Sequence, residues 1–152
     1  MNAPNFAGGI YLVDFEFYPA RTREGNPPVP VCMVVRQWPS GITRRHWQTD
    51  LQQMPTAPFP TSTAALCVAY FASAEMDCFR VLGWDLPVNV LDLFAEFRCQ
   101  TNGLRLAHGS KLIGALLHYG LPSIGGEQKD SMRALVLTGG PWSLVEQSEI
   151  LD

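Results

Sequence analysis

Hydrophobic and polar positions change period along this chain, from near two at the start to near 3.6 in the last third, and the elements follow from that change. Residues 10–17 (IYLVDFEF) are rich in β-formers and alternate over their second half, which predicts a strand. Residues 29–38 are Val-rich and predict a second, interior strand. The turn Pro39-Ser40-Gly41 then leads into a third strand over residues 42–48, paired antiparallel with the second as a hairpin. Arg44 and Arg45, with His46 beside them, suit an exposed edge. A turn-rich stretch, residues 21–30 with Gly25-Asn26-Pro27-Pro28, joins the first two strands.

Beyond a Pro-rich loop at residues 54–60, residues 64–70 read either as a short helix running into a strand or as a strand alone. Residues 75–82 predict a helix stopped by Gly83, residues 88–91 a short buried strand, and residues 93–100 a helix ending near Asn102-Gly103. The last third is helical. Ser110 is placed to cap residues 111–119, Gly139-Gly140 to end residues 127–137, and Ser143 with Glu146 forms a capping box that opens a final helix. No internal repeat interrupts this order. Three strands, then alternating strand and helix, then helices predict an α/β fold. Its mixed sheet, antiparallel over strands 1–3 with parallel strands added and helices on both faces, resembles the ribonuclease H-like three-layer arrangement.

Composition narrows the class. The chain of 152 residues is 47% hydrophobic and 16% charged, which fits one globular domain over 1–152 with a core of its own. The formal net charge of −3 supplies no global attraction for nucleic acid, so a nucleic-acid site must be local. Cys32, Cys67, Cys78 and Cys99 lack CxxC spacing, which argues against zinc and against a disulfide framework. They read as buried thiols of a reducing compartment. With no signal peptide and no apolar run long enough to span a bilayer, the expectation is a cytoplasmic protein without a membrane partner. No GxxxxGK or GxGxxG offers a nucleotide cofactor site, and His46, His108 and His118 lack metal-ligand spacing. Trp38, Trp47, Trp84 and Trp142 read as core or interface anchors.

Asp14-Phe15-Glu16 is the sharpest chemical signal. A period of two puts both carboxylates on one face of the first strand and Val13, Phe15 and Phe17 on the other. Like charges side by side on a buried strand are costly unless a cation neutralises them, and a divalent ion with oxygen ligands does so. An exposed edge strand with solvated acids is the competing explanation. Glu75 and Asp77 both fall in what reads as the first turn of the next helix, where helix-dipole capping competes with ligation. Asp92, opening a later helix, reads as an N-cap.

Asp14 and Glu16 on the first strand, Glu75 at a strand-to-helix junction, and Val90-Leu91-Asp92-Leu93 further on have the order of a known family. They resemble the 3′–5′ exonuclease domain of family A DNA polymerases, of the DEDD type, in its phage-like form. Residues 74–84, 92–98, 129–133 and Gly139-Gly140-Pro141-Trp142 extend the resemblance over nearly the whole chain. It implies that Asp14 bridges two ions, Mg²⁺ or Mn²⁺, that Glu16 binds one, and that Glu75 is the second-motif acid, with Asp77 ranked behind it because its register is shifted by two. It implies that Asp92 is structural. It also implies a third motif, Tyr or His and then Asp, just after a segment like residues 149–152, and on this reading the chain is C-terminally incomplete.

Two functions are expected from this. One is two-metal-ion hydrolysis of 3′-terminal phosphodiester bonds of single-stranded DNA, impaired by loss of the third motif, with a separate polymerase segment as partner. Glu149 or Asp152 are the acids that would have to stand in for the missing one. The other is a catalytically inactive module of the same fold that binds or regulates another protein. An apolar face left open at the end of the chain would favour a homo-oligomer.

Overall fold

The computed structural model describes residues 6–20, 26–123 and 126–151, with side chains from 129 onward in the last stretch. Five strands, β1 (Gly9–Pro19), β2 (Pro28–Trp38), β3 (Thr43–Trp47), β4 (Ala65–Ala69) and β5 (Val90–Asp92), form one sheet in the order β3-β2-β1-β4-β5. β1 and β2, and β2 and β3, pair antiparallel; β4 runs parallel to β1, and β5 parallel to β4. The helices are α1 (Gln48–Gln53), α2 (Ala72–Leu82), α3 (Leu93–Gln100), α4 (Leu112–His118), α5 (Gly126–Leu137) and α6 (Leu144–Leu151). Strand order and polarity are those expected for the ribonuclease H-like arrangement. Residues 64–70 resolve as a strand without a helical lead-in. Among the described residues no helix is long and apolar enough to cross a membrane.

The two faces of the sheet carry separate cores. On one, Tyr11, Val13 and Phe15 of β1 meet Met33 and Val35 of β2, Leu51 of α1, and Cys78 and Phe79 of α2. The Phe79 ring, fully buried, packs edge-on against Phe15 at 5.8 Å, Phe59 at 6.1 Å and Trp84 at 5.4 Å. Phe17 packs against this cluster too, which makes it and Phe15 core side chains. On the other face Val31 and Cys32 of β2 pack with Val136 of α5 and Ile150 of α6. Burial of β2 on both sides explains its near-continuous apolar run. An irregularity in the β1–β2 register falls between Glu16 and Phe17, beside the acidic pair, a place where bulges commonly re-aim side chains.

Several expectations change. The strand foreseen at residues 88–91 is Val90–Asp92 and lies at the sheet edge, with Val88 62% exposed, because no strand follows it in the sheet. Trp38 is 60% exposed at the end of β2, whereas Trp84 is buried and Trp47 stacks edge-on against Trp142 at 5.6 Å. Cys99 is exposed while the other three cysteines are buried, all four as free thiols. Ser110 does not cap α4; that helix begins after Lys111 without a side-chain cap. Helix α1 was not expected, since only Leu51 in it is buried and so short an element has no period. The middle of the β1–β2 connection, residues 21–25, lies outside the described residues. Its ends are closed by Ala20 N–H donating to the Pro27 carbonyl at 2.9 Å.

Helix α2 begins at Ala72, three residues before the expected Glu75, for a tertiary reason. The Asp92 carboxylate, at the end of β5, accepts from the N–H groups of Phe71 and Ala72 at 3.1 Å each. It also accepts from Phe94 at 2.9 Å and Ala95 at 3.4 Å. One side chain thus caps the start of both α2 and α3, satisfying donors that have no partner inside either helix. It also holds Phe71 in the left-handed region, at φ 71°, a conformation that costs a residue with a Cβ roughly 1–2 kcal/mol. At the other end α2 stops as expected at Gly83, at φ 72°. Asp92→Ala should lower the unfolding free energy by roughly 2–3 kcal/mol in urea titrations, and Asp92→Asn by less because one acceptor remains.

Candidate functional site

The central strand β1 loses its β4 partner after Leu12, which aligns with Val68. Beyond that point the strand's edge faces α2, and its backbone donors need another acceptor. Glu75 supplies one: its Oε2 accepts from the Phe15 N–H at 2.9 Å. The side chain is 4% exposed. Glu75 therefore does not cap its own helix. It reaches from the first turn of α2 to the peptide between Asp14 and Glu16, which point to the opposite face of the sheet from the Phe15 ring.

Three carboxylates thus share one electrostatic neighbourhood. The Glu75 pKa is pushed up to about 9, first by burial and then by the charge of Asp14, with Glu16 adding and the Phe15 N–H opposing. Burial followed by the charge of Asp14 raises Glu16, against Lys129 and Arg133. Asp14 keeps access to solvent, yet partial burial of its carboxylate raises its pKa, with Lys129 opposing. Cys32 aligns with Glu16 across the β1–β2 ladder. Its thiol is pushed up to about 12, chiefly by burial, and stays protonated.

Asp77 goes elsewhere. Two residues along a helix turn about 200°, so Glu75 and Asp77 cannot both face β1. Asp77 is exposed in the second turn and pairs with Arg80 at 2.6 Å. It lines a small cavity of about 230 Å³ together with Phe17 and Phe71. A larger cavity, about 690 Å³ and lined among others by Tyr18, Val29, Leu82 and Leu137, contains none of the four acids and no charged side chain. The chemistry of the acids, not cavity size, marks the site. Glu149 is exposed on α6, and Asp152 lies outside the described residues. His46 lies on the edge strand β3, His108 is exposed, and His118 packs its ring against Phe97 at 5.4 Å.

Two contributors were not legible in the sequence: Lys129 and Arg133 on α5, whose charges act on Glu16, and that of Lys129 on Asp14 as well. Their signal was their spacing. Lys129, Met132, Arg133 and Val136 fall at i, i+3, i+4 and i+7, one helical stripe.

Glu75, Asp14 and Glu16 offer only hard oxygen donors, the chemistry that Mg²⁺ and Mn²⁺ prefer. They are not closed into a shell: among the described residues no group of three or more His, Cys, Asp or Glu side chains is gathered to hold a metal ion. Burial and the two neighbouring acids disfavour the charged form of Glu75.

A pH dependence follows. Glu75 has a pKa near 4.5 when unfolded and about 9 when folded, so between these values the folded chain binds the extra proton. Its contribution to stability is complete below about pH 4.5 and is lost as pH rises towards 9. Glu75→Gln keeps an acceptor for the Phe15 N–H and removes the titration. In metal-free melts it should match the parent near pH 5 and melt several degrees higher at pH 8. Compared with protein-family models, with curated proteins and with solved structures, the chain matches none.

Proposed function

We propose that this chain is a 3′–5′ exonuclease-like domain, similar to that of family A DNA polymerases, which hydrolyses 3′-terminal phosphodiester bonds of single-stranded DNA with Mg²⁺ or Mn²⁺. The observation that carries the reading is the arrival of Glu75 at the Phe15 N–H, between the two acids of the first strand. A capping or surface role for Glu75 would not bring it there.

In this reading Asp14, Glu16 and Glu75 are the metal ligands, and Asp77 has no part, being turned to solvent and paired with Arg80. Two divalent ions would supply a nucleophilic hydroxide and neutralise the charge that develops on the phosphoryl and leaving oxygens. The chain's own residues do the rest. β1 and α2 fix the carboxylates on rigid elements, and the hydrogen bond to Phe15 N–H sets the Glu75 rotamer. Ligation requires Glu75 to give up its proton, so ion affinity should rise with pH. Phe15 and Phe17 are spent in the core and are not walls for bases. Exposed Leu12, on the same face as Asp14, and exposed Phe71, at the head of α2, are the apolar surfaces nearest to hand.

A second reading, an inactive nuclease-fold module acting on another protein, draws on Lys129 and Arg133, which already offset part of the acids' charge. Mn²⁺ titration followed by electron paramagnetic resonance separates the two. The exonuclease reading expects two bound ions per chain, tighter at pH 8 than at pH 6, with affinity reduced roughly a hundredfold or more in Asp14→Ala. Cleavage of a 3′-labelled oligonucleotide should require the metal and disappear in the same variant. One weak ion or none supports the module.

A further inference from the structure

We propose that Lys129 and Arg133 form a phosphate clamp over the Asp14–Glu16 face of the sheet, taking the non-bridging oxygens of a phosphodiester in a single nucleic-acid strand. The proposal rests on the exonuclease reading for the identity of the strand, but its geometry stands apart from the metal.

The clamp follows from how α5 sits. Met132 packs against the cluster in which Val136 of α5 meets Val31 and Cys32 of β2. Cys32 is aligned with Glu16 of β1, so the apolar half of the α5 stripe is laid against the face that carries the acids, and α5 packs on β1 itself. Lys129 and Arg133 share that stripe with Met132 and Val136, one turn apart. Lys129 therefore lies over the acid-bearing side of the helix, and Arg133, one turn on, is exposed at its rim. Lys129 is half-buried there.

A cation held on the inward stripe of a helix is costly unless an anion meets it. Asp14 and Glu16 are within electrostatic range, and their pKa values feel both cations or Lys129 alone. Yet among the described residues no close ion pair joins either cation to Asp14 or Glu16. A guanidinium fork and an ammonium one turn apart match the oxygens of a phosphate. Such a site is needed on other grounds. With a net charge of −3 the chain repels a polyanion overall, so a strand must be held by local cations. Arg45 shares the Asp14 face by register, but its Nε donates to the Leu151 carbonyl at 2.9 Å and is tied to α6.

The test is binding, not turnover. In EDTA, so that no metal contributes, fluorescence anisotropy with labelled (dT)6 is followed against salt for the parent chain, Lys129→Met/Arg133→Met and Lys129→Arg. The double variant should bind at least tenfold more weakly and lose roughly 0.7 in salt slope for each phosphate contact removed. Lys129→Arg should retain most of the affinity. Inorganic phosphate should compete with (dT)6 in the parent and much less in the double variant. Circular dichroism checks that the double variant folds, and if it does not, Lys129→Gln alone is expected to show half the slope change. Unchanged affinity and slope in the folded variants, or no (dT)6 binding by the parent chain, overturns the clamp. Mn²⁺ binding is measured in parallel and is expected to be equal or tighter in the double variant, since two like charges are removed. Loss of ion binding in the parent would defeat the exonuclease reading while leaving the anisotropy result to decide the clamp.

Discussion

A single hydrogen bond, from the Phe15 N–H to the Glu75 carboxylate at 2.9 Å, ties together the sheet, α2 and the acidic site. It exists because β1 outlasts its parallel partner. β4 ends at Ala69 and the chain turns into α2, so the central strand would otherwise present an unsatisfied donor to a closed interior. A carboxylate answers that need, at the expense of burying an acid beside two others. The strain is electrostatic, and it is what makes the site chemical. A charge-poor acceptor at position 75 would satisfy the backbone equally well without setting a third acid beside Asp14 and Glu16.

That bond depends on the phase of α2, which Asp92 sets. By accepting from Phe71 and Ala72 the Asp92 carboxylate starts the helix at Ala72 and stabilises the left-handed turn before it. Counting from that start, position 75 comes round to β1 and position 77 to solvent. A start one residue later would not exchange the two acids, but it would rotate Glu75 by about 100° and break its contact with Phe15. A residue at the edge of the sheet, 17 positions further on, therefore controls whether Glu75 reaches the Phe15 N–H.

On the opposite face the sheet is covered by α5 and α6, and here packing and charge share one helix. The apolar members of the α5 stripe close the second core around Val31 and Cys32, and the charges of Lys129 and Arg133 on the same stripe act on the acids. The reciprocal bonds of Ser143 and Glu146 at the start of α6 fix where that helix begins. Ile150 then completes the cluster. The site is thus enclosed by two layers that never touch through the sheet: α2 brings the buried acid, α5 brings the cations.

Local pattern alone determined the first three strands and the placement of Asp14 and Glu16 on one face, because a period of two is a property of the backbone and needs no partner. It determined Gly83 as a helix stop and Ser143 with Glu146 as a helix start for the same reason: the interacting groups are neighbours in the chain. Only the tertiary structure decided between Glu75 and Asp77, because the phase of α2 is set by a cap from another strand. Only it placed Trp38 and Cys99 in solvent and put a short helix after β3, where too few buried residues exist to show a period. And only it brought the charges of Lys129 and Arg133 to bear on Asp14 and Glu16, since the direction a helical stripe faces is fixed by what it packs against.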